Sequence, residues 1–193
     1  MSGNKIRLFV AVDIPGEVRE LLSRVLQELR GEMEGARWVK PENLHLTLKF
    51  IGDYEEEGLE RLTGEVRAAA ERIPAFIAAL DGCGAFPSGK RARVIWVGMA
   101  EGSEKAGRMA RKLDARLERA GVKREDRPFK SHLTLARLKQ PGDCSGYLKI
   151  LNQKLEGLPG LPFEVGEVVL YRSILSPHGP TYVPLERISL GGG

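Results

Sequence analysis

The chain has 193 residues, enough to bury one substantial core in one or two domains and too few for a large multidomain machine. With 42% hydrophobic and 29% charged residues its composition is that of a folded globular protein, which excludes a disordered or collagen-like chain. Thirty basic against twenty-six acidic side chains leave a net charge of +4, which suits an anionic partner but falls short of a dedicated nucleic-acid coat.

The alternation Ile6, Leu8, Val10, Val12 predicts a strand ending at Asp13. Pro15 then opens an amphipathic helix through Val18, Leu21, Leu22, Val25, Leu26 and Leu29, which should stop near Gly31 or Gly35. After a short extended piece at Trp38 and Val39, Leu44 to Ile51 reads as a strand closed by Gly52-Asp53. A helix follows from Gly58 to Arg72, ending before Pro74. Phe76 to Leu80 and Val94 to Val97 read as strands, Ala106 to Ala120 as a helix, and another strand starts at Ser131. Gly146 to Leu155 has helical spacing, and Phe163 to Tyr171 and Tyr182 to Leu190 are predicted strands around a turn-rich loop, Ser176 to Pro180. Linkers too short for parallel crossovers favour antiparallel or mixed sheets, so the expected class is α+β.

No apolar run approaches the ~20 residues of a membrane span, and the polar start, Met1 to Arg7, does not read as a secretory signal. A cytoplasmic protein making no membrane contact is expected. Cys83 and Cys144, without a metal-binding spacing, read as reduced structural cysteines. The basic residues between Lys105 and Arg127 fit either a solvated helix face or steering of an anionic substrate.

The chemistry lies in a repeat. His45-Leu46-Thr47-Leu48 recurs as His132-Leu133-Thr134-Leu135, holding two of the three histidines. On a strand, His45 and Thr47 share one face while Leu46 and Leu48 take the other, and the second copy does the same. If the polar faces converge, two imidazoles and two hydroxyls share one cleft. One neutral and one protonated imidazole can act together as general base and general acid, and the threonine hydroxyls can donate to nonbridging oxygens. This combination, with no metal or cofactor, suits in-line displacement at a phosphodiester. A metal site is disfavoured because neither copy offers a second ligand at a suitable spacing. Gly84 to Lys90, GAFPSGK, imitates the start of a phosphate-binding loop, but Arg91 replaces the magnesium-binding hydroxyl and a strand follows, so a hairpin is expected.

Together with RLFVAVDIP, WVKPENLHLTLKFIGD, GAFPSGKRARVIWVG, RPFKSHLTLARLK and LYRSILSPHGPTYVPL, the two motifs make nearly the whole chain resemble the two-histidine (2H) phosphoesterases. Within them it is most similar to the RNA 2′,3′-cyclic phosphodiesterases, historically called 2′-5′ RNA ligases. The resemblance implies a bilobal fold over residues 1–190, two related α+β lobes with a central cleft, and a flexible tail at 191–193. It implies His45 as proton donor, His132 as proton acceptor, and Thr47 and Thr134 on the phosphate oxygens, with opening to a 2′-phosphomonoester. The implied substrates are RNA ends or small cyclic nucleotides, and a monomer is expected. Arg137 matches a basic residue after the second motif, but strict alternation turns it away from His132, so contact with phosphate requires the strand to end or bulge near Ala136, and a surface or ion-pair arginine is the alternative reading. Lys130-Ser131 stands where the family often has a proline. Trp96, Phe50, Phe86 and Tyr182 are candidate base-stacking residues or core aromatics, and His178 reads as a solvated loop histidine. The competing functions are reversible 2′-5′ RNA ligation at the same site and noncatalytic binding of RNA ends.

Overall fold

The computed structural model describes residues 4–31, 33, 35–156, 162–177 and 179–191. In chain order its elements are β1 (Lys5–Asp13), α1 (Gly16–Leu29), β2 (Ala36–Trp38), β3 (His45–Glu55), α2 (Leu59–Ala70), β4 (Phe76–Ala78), β5 (Leu80–Phe86) and β6 (Ala92–Met99). These are followed by α3 (Ser103–Leu117), β7 (His132–Gly142), α4 (Ser145–Glu156), β8 (Phe163–Val165), β9 (Glu167–Ser176) and β10 (Gly179–Ser189). The large sheet runs β10-β9-β1-β3-β7-β6-β5, with β2 also paired to β7, and β4 with β8 forms a second small sheet. Every pairing is antiparallel, in keeping with the α+β class.

Helices α1 to α4 bury their apolar stripes in one core against one face of the sheet. In α1 that stripe is Val18, Leu22, Val25, Leu26 and Leu29; in α3 it is Ala106, Met109, Leu113 and Leu117. Leu46, Leu48, Leu133 and Leu135 of the repeat face the same core. The other face carries the histidines and a small buried apolar cluster of Phe9, Ala11, Val169 and Tyr171. One side of the sheet therefore supplies stability, and the other is left for chemistry.

The two lobes meet where β3 pairs with β7 at Leu46↔Leu133, the same position of the repeated tetrapeptide. An antiparallel pair centred on equivalent residues has a local two-fold axis, and the order of elements obeys it: β9-β1-β3 on one side mirrors β5-β6-β7 on the other. Each lobe also takes strands from the other half of the sequence: β5 and β6, within residues 80–99, join β7, and β9 and β10, within residues 167–189, join β1.

The structure differs from the sequence expectation at three places. Phe76 to Leu80 is not one strand: the chain leaves the small sheet after Ala78 and starts β5 at Leu80. The run Leu80–Phe86 is hard to read as a strand because of its glycines, yet a Cβ on Gly84 would stand 2.4 Å from the Trp96 ring, so the glycine makes room for the indole. Phe163 to Tyr171 likewise breaks at Gly166 into β8 and β9, which belong to different sheets. Of the expected tail, Gly191 donates its N–H to the Ala70 carbonyl, while Gly192 and Gly193 lie outside the described residues. Both cysteines are free thiols, and burial pushes Cys83 up to about 12. Among the described residues, no helix is long and apolar enough to cross a membrane.

Candidate active site

Leu46 and Leu133 are registered partners, so one step to either side places His45 across from Thr134 and Thr47 across from His132. Opposed side chains of an antiparallel pair lie on the same face, which brings all four polar groups to the bare face. The two histidines occupy diagonal corners of this quartet, and diagonal neighbours in such a pair stand about 7–8 Å apart. That spacing leaves room for a phosphate between the two rings.

Each imidazole is oriented in the same way. His45 Nδ1 lies 2.7 Å from the carbonyl oxygen of Asn43, and His132 Nδ1 lies 2.7 Å from that of Lys130. A carbonyl only accepts, so Nδ1 carries the proton in both rings and Nε2 is the working nitrogen. His45 Nε2 is 2.9 Å from the Thr47 hydroxyl. Burial holds both imidazoles below the ordinary value of 6.5, opposed in each by the carbonyl hydrogen bond at Nδ1.

The remaining surroundings of the two histidines are unlike. Around His45 stand Phe9, with ring centroids 5.0 Å away, and Tyr182, edge-on at 5.2 Å. Asp13 is its registered partner on β1, held by the Tyr171 hydroxyl at 2.6 Å and by Arg187 at 3.0 Å, and its charge favours a protonated His45. The corresponding partner of His132 on β6 is Gly98, which has no charge to offer. His132 instead faces Phe86 at 5.0 Å and Trp96 at 6.3 Å, with the Lys130 ammonium 4.1 Å above the Trp96 ring. Lys130 and Arg137 both disfavour a charged His132.

Arg137 reaches this face because the strand bulges. Trp96 pairs with Thr134 and Ile95 with Ala136, so Leu135 is the extra residue; Leu135 and Ala136 both point into the core and Arg137 turns back to the side of Thr134. The first copy has the same device. Val10 pairs with Lys49 and Ala11 with Thr47, so Leu48 and Lys49 are both buried and Phe50 emerges on the open face, 49% exposed. The charge of Arg137 bears on both histidines and on Tyr182, which places its guanidinium beside the quartet.

Every predicted site residue therefore gathers on one face. Of the candidate stacking residues, Phe86, Trp96 and Tyr182 flank the histidines, and Phe50 stands exposed under the Arg7 guanidinium at 4.8 Å. His178 lies outside the described residues. GAFPSGK is the β5–β6 hairpin and precedes no α-helix, as expected. In α3, Arg116 pairs with Glu65 and Lys112 bonds the Arg72 carbonyl, so these two brace α2, whereas Arg111 lines a hollow of about 380 Å³ with Trp96 and Lys130. Sequence reasoning missed Asp13 and Tyr171. Asp13 is two residues from Ala11 and four from Phe9 on one strand face, but only the β1–β3 register sets it against His45.

The family model of the LigT-like phosphoesterases matches the chain twice, over residues 12–96 and 97–182. The chain belongs to the LigT-like phosphoesterase family. The two matches divide the sequence into halves holding one histidine motif each. An Archaeoglobus fulgidus relative named RNA 2′,3′-cyclic phosphodiesterase is 37% identical over 182 residues, covering 94% of this chain and 98% of that one. A crystal structure of a Thermus thermophilus protein superposes with a TM-score of 0.80 at 35% identity, covering 97% of this chain and 99% of the other. Escherichia coli LigT complexed with 3′-AMP superposes at a TM-score of 0.75 and 28% identity, again over 97% and 99%. This LigT-like protein is an enzyme of the phosphoesterase class.

Proposed function

We propose that this phosphoesterase hydrolyses RNA 2′,3′-cyclic phosphate ends, and small 2′,3′-cyclic nucleotides, to 2′-phosphomonoesters by acid–base catalysis between His45 and His132. The observation that carries this reading is the diagonal quartet about Leu46↔Leu133, which sets two Nε2 atoms and two hydroxyls around one phosphate-sized space. His132, with cations and no carboxylate beside it, takes a proton from water as the water oxygen bonds to phosphorus. The P–O3′ bond breaks, and His45, favoured in its charged form by Asp13, delivers its proton to O3′. The products are a 3′-hydroxyl and a 2′-phosphomonoester, and proton exchange with solvent resets both rings. Thr47, Thr134 and Arg137 hold the nonbridging oxygens as charge builds on them. The curated relatives bear names for hydrolysis of this linkage, which favours it over ligation and over noncatalytic binding.

The test is turnover of a 2′,3′-cyclic nucleotide by purified protein and its variants. His45→Ala and His132→Ala should each lower kcat by at least ~10² with binding largely retained, and Thr134→Val should cost a factor of ~10² as a lost oxyanion donor. Variants as active as the parent chain would remove the histidines from the mechanism.

A further inference from the structure

β2 and β3 lie along the same edge of β7. Ala36, Arg37 and Trp38 pair with Leu138, Arg137 and Ala136, the Val39 N–H donates to the Leu135 carbonyl at 2.9 Å, and beyond the short helical turn Pro41–Asn43 the chain rejoins β7 at Leu46↔Leu133. The segment from Ala36 to Leu46 is thus an interrupted strand beside β7. The open face along this seam presents, in order, the opposed pair Arg37 and Arg137 and then the catalytic quartet.

The arginine pair lacks a structural explanation. Two like charges directly opposed on adjacent strands repel. Both side chains are exposed, and Ala36, Trp38 and Ala136 supply the packing on the other face. Among the described residues neither guanidinium has a carboxylate partner, although Arg7, Arg67, Arg116, Arg124, Arg127 and Arg187 each have one. Each guanidinium is a fork suited to the oxygens of a phosphate. Arg137 stands three residues beyond Thr134 with one residue taken up by the bulge, so the pair lies about two strand steps, or ~7 Å, along the seam from the quartet. Arg137 leans toward the quartet; Arg37, on β2, is the outer member.

We propose that Arg37, the outer arginine, holds the phosphodiester that precedes the cyclic phosphate while Arg137 beside it serves the scissile phosphate, so that the seam recognises an RNA chain end in preference to a free cyclic nucleotide. This rests on the reading of the quartet as the cyclic phosphodiesterase site and extends it to the body of the substrate. A cyclic mononucleotide has no such phosphodiester and reaches the quartet without this contact.

The test compares a cyclic mononucleotide with a short RNA ending in a 2′,3′-cyclic phosphate. Arg37→Ala should raise KM for the RNA about tenfold more than for the mononucleotide, and Arg37→Lys should recover part of the loss. The slope of log(kcat/KM) against log salt for the RNA should become shallower by ~0.7, the change for one lost contact to a single strand. An RNA with an uncharged methylphosphonate at the penultimate linkage should show the same loss with the parent protein and little further loss with Arg37→Ala. Equal effects of Arg37→Ala on both substrates, or none on either, would overturn this role of Arg37. A parent protein that opens neither substrate would instead overturn the cyclic phosphodiesterase reading.

Discussion

His45 and His132 begin the same tetrapeptide and bind the same kind of carbonyl, yet a carboxylate stands opposite one and a glycine opposite the other. Burial lowers both, so the protein with one ring charged and one neutral is most populated below 6.5, and kcat/KM should peak on the acid side of that value. Asp13 gives a finer test. Its carboxylate favours protonated His45, so Asp13→Asn lowers the affinity of that ring for a proton. If His45 is the acid, the variant is slower on the alkaline side of the optimum and unchanged on the acid side. If His45 is the base, the variant is instead faster on the acid side. A pH–rate profile of kcat/KM separates these outcomes, and a purely structural loss would depress both sides equally. The histidines and threonines were legible in the sequence because strand alternation alone puts them on one face. Asp13 and Arg37 were not, because each gains its meaning from a partner on another strand.

At the scale of elements, the decisive local feature is the bulge that both motif strands share. It leaves two consecutive residues in the core, Leu48 and Lys49 in β3 and Leu135 and Ala136 in β7. Alternation read from sequence placed Arg137 on the wrong face for this reason; whether a strand bulges depends on the neighbour it pairs with. In β3 the bulge buries a lysine, whose ammonium donates to Asp114 at 2.5 Å and to the Lys123 carbonyl at 2.8 Å. Burial raises Asp114, but the Lys49 hydrogen bond and the Glu125 N–H outweigh it and hold the carboxyl below its usual range. Asp114→Ala would leave a buried ammonium without its counter-charge and should destabilise the fold by ~3–5 kcal/mol, whereas Lys49→Met should cost much less. Chemical denaturation of the two variants measures the difference; equal losses would show that the pair does not brace β3 against α3.

Across the whole molecule, the two-fold relation explains why a sequence repeat becomes a single site. Two copies of a strand that is half core and half site, joined back to back at Leu46↔Leu133, must place their polar faces side by side. The class of fold and most of its elements could be read from periodicity. The exchange of strands between lobes could not, because the β5–β6 hairpin and β9 take their places by long-range pairing with β7 and β1. Leu46 and Leu133 are almost wholly buried at the axis, so Leu133→Ala should cost ~2–5 kcal/mol and loosen both lobes together. The pairing of His45 and His132 is tested by phosphorus NMR of the product formed when chelator-treated protein is mixed with RNA carrying a 2′,3′-cyclic phosphate. Conversion to the 2′-phosphomonoester should be complete with chelator present. A 3′-phosphomonoester, or an unchanged cyclic end that reacts only when a metal ion is restored, would contradict it.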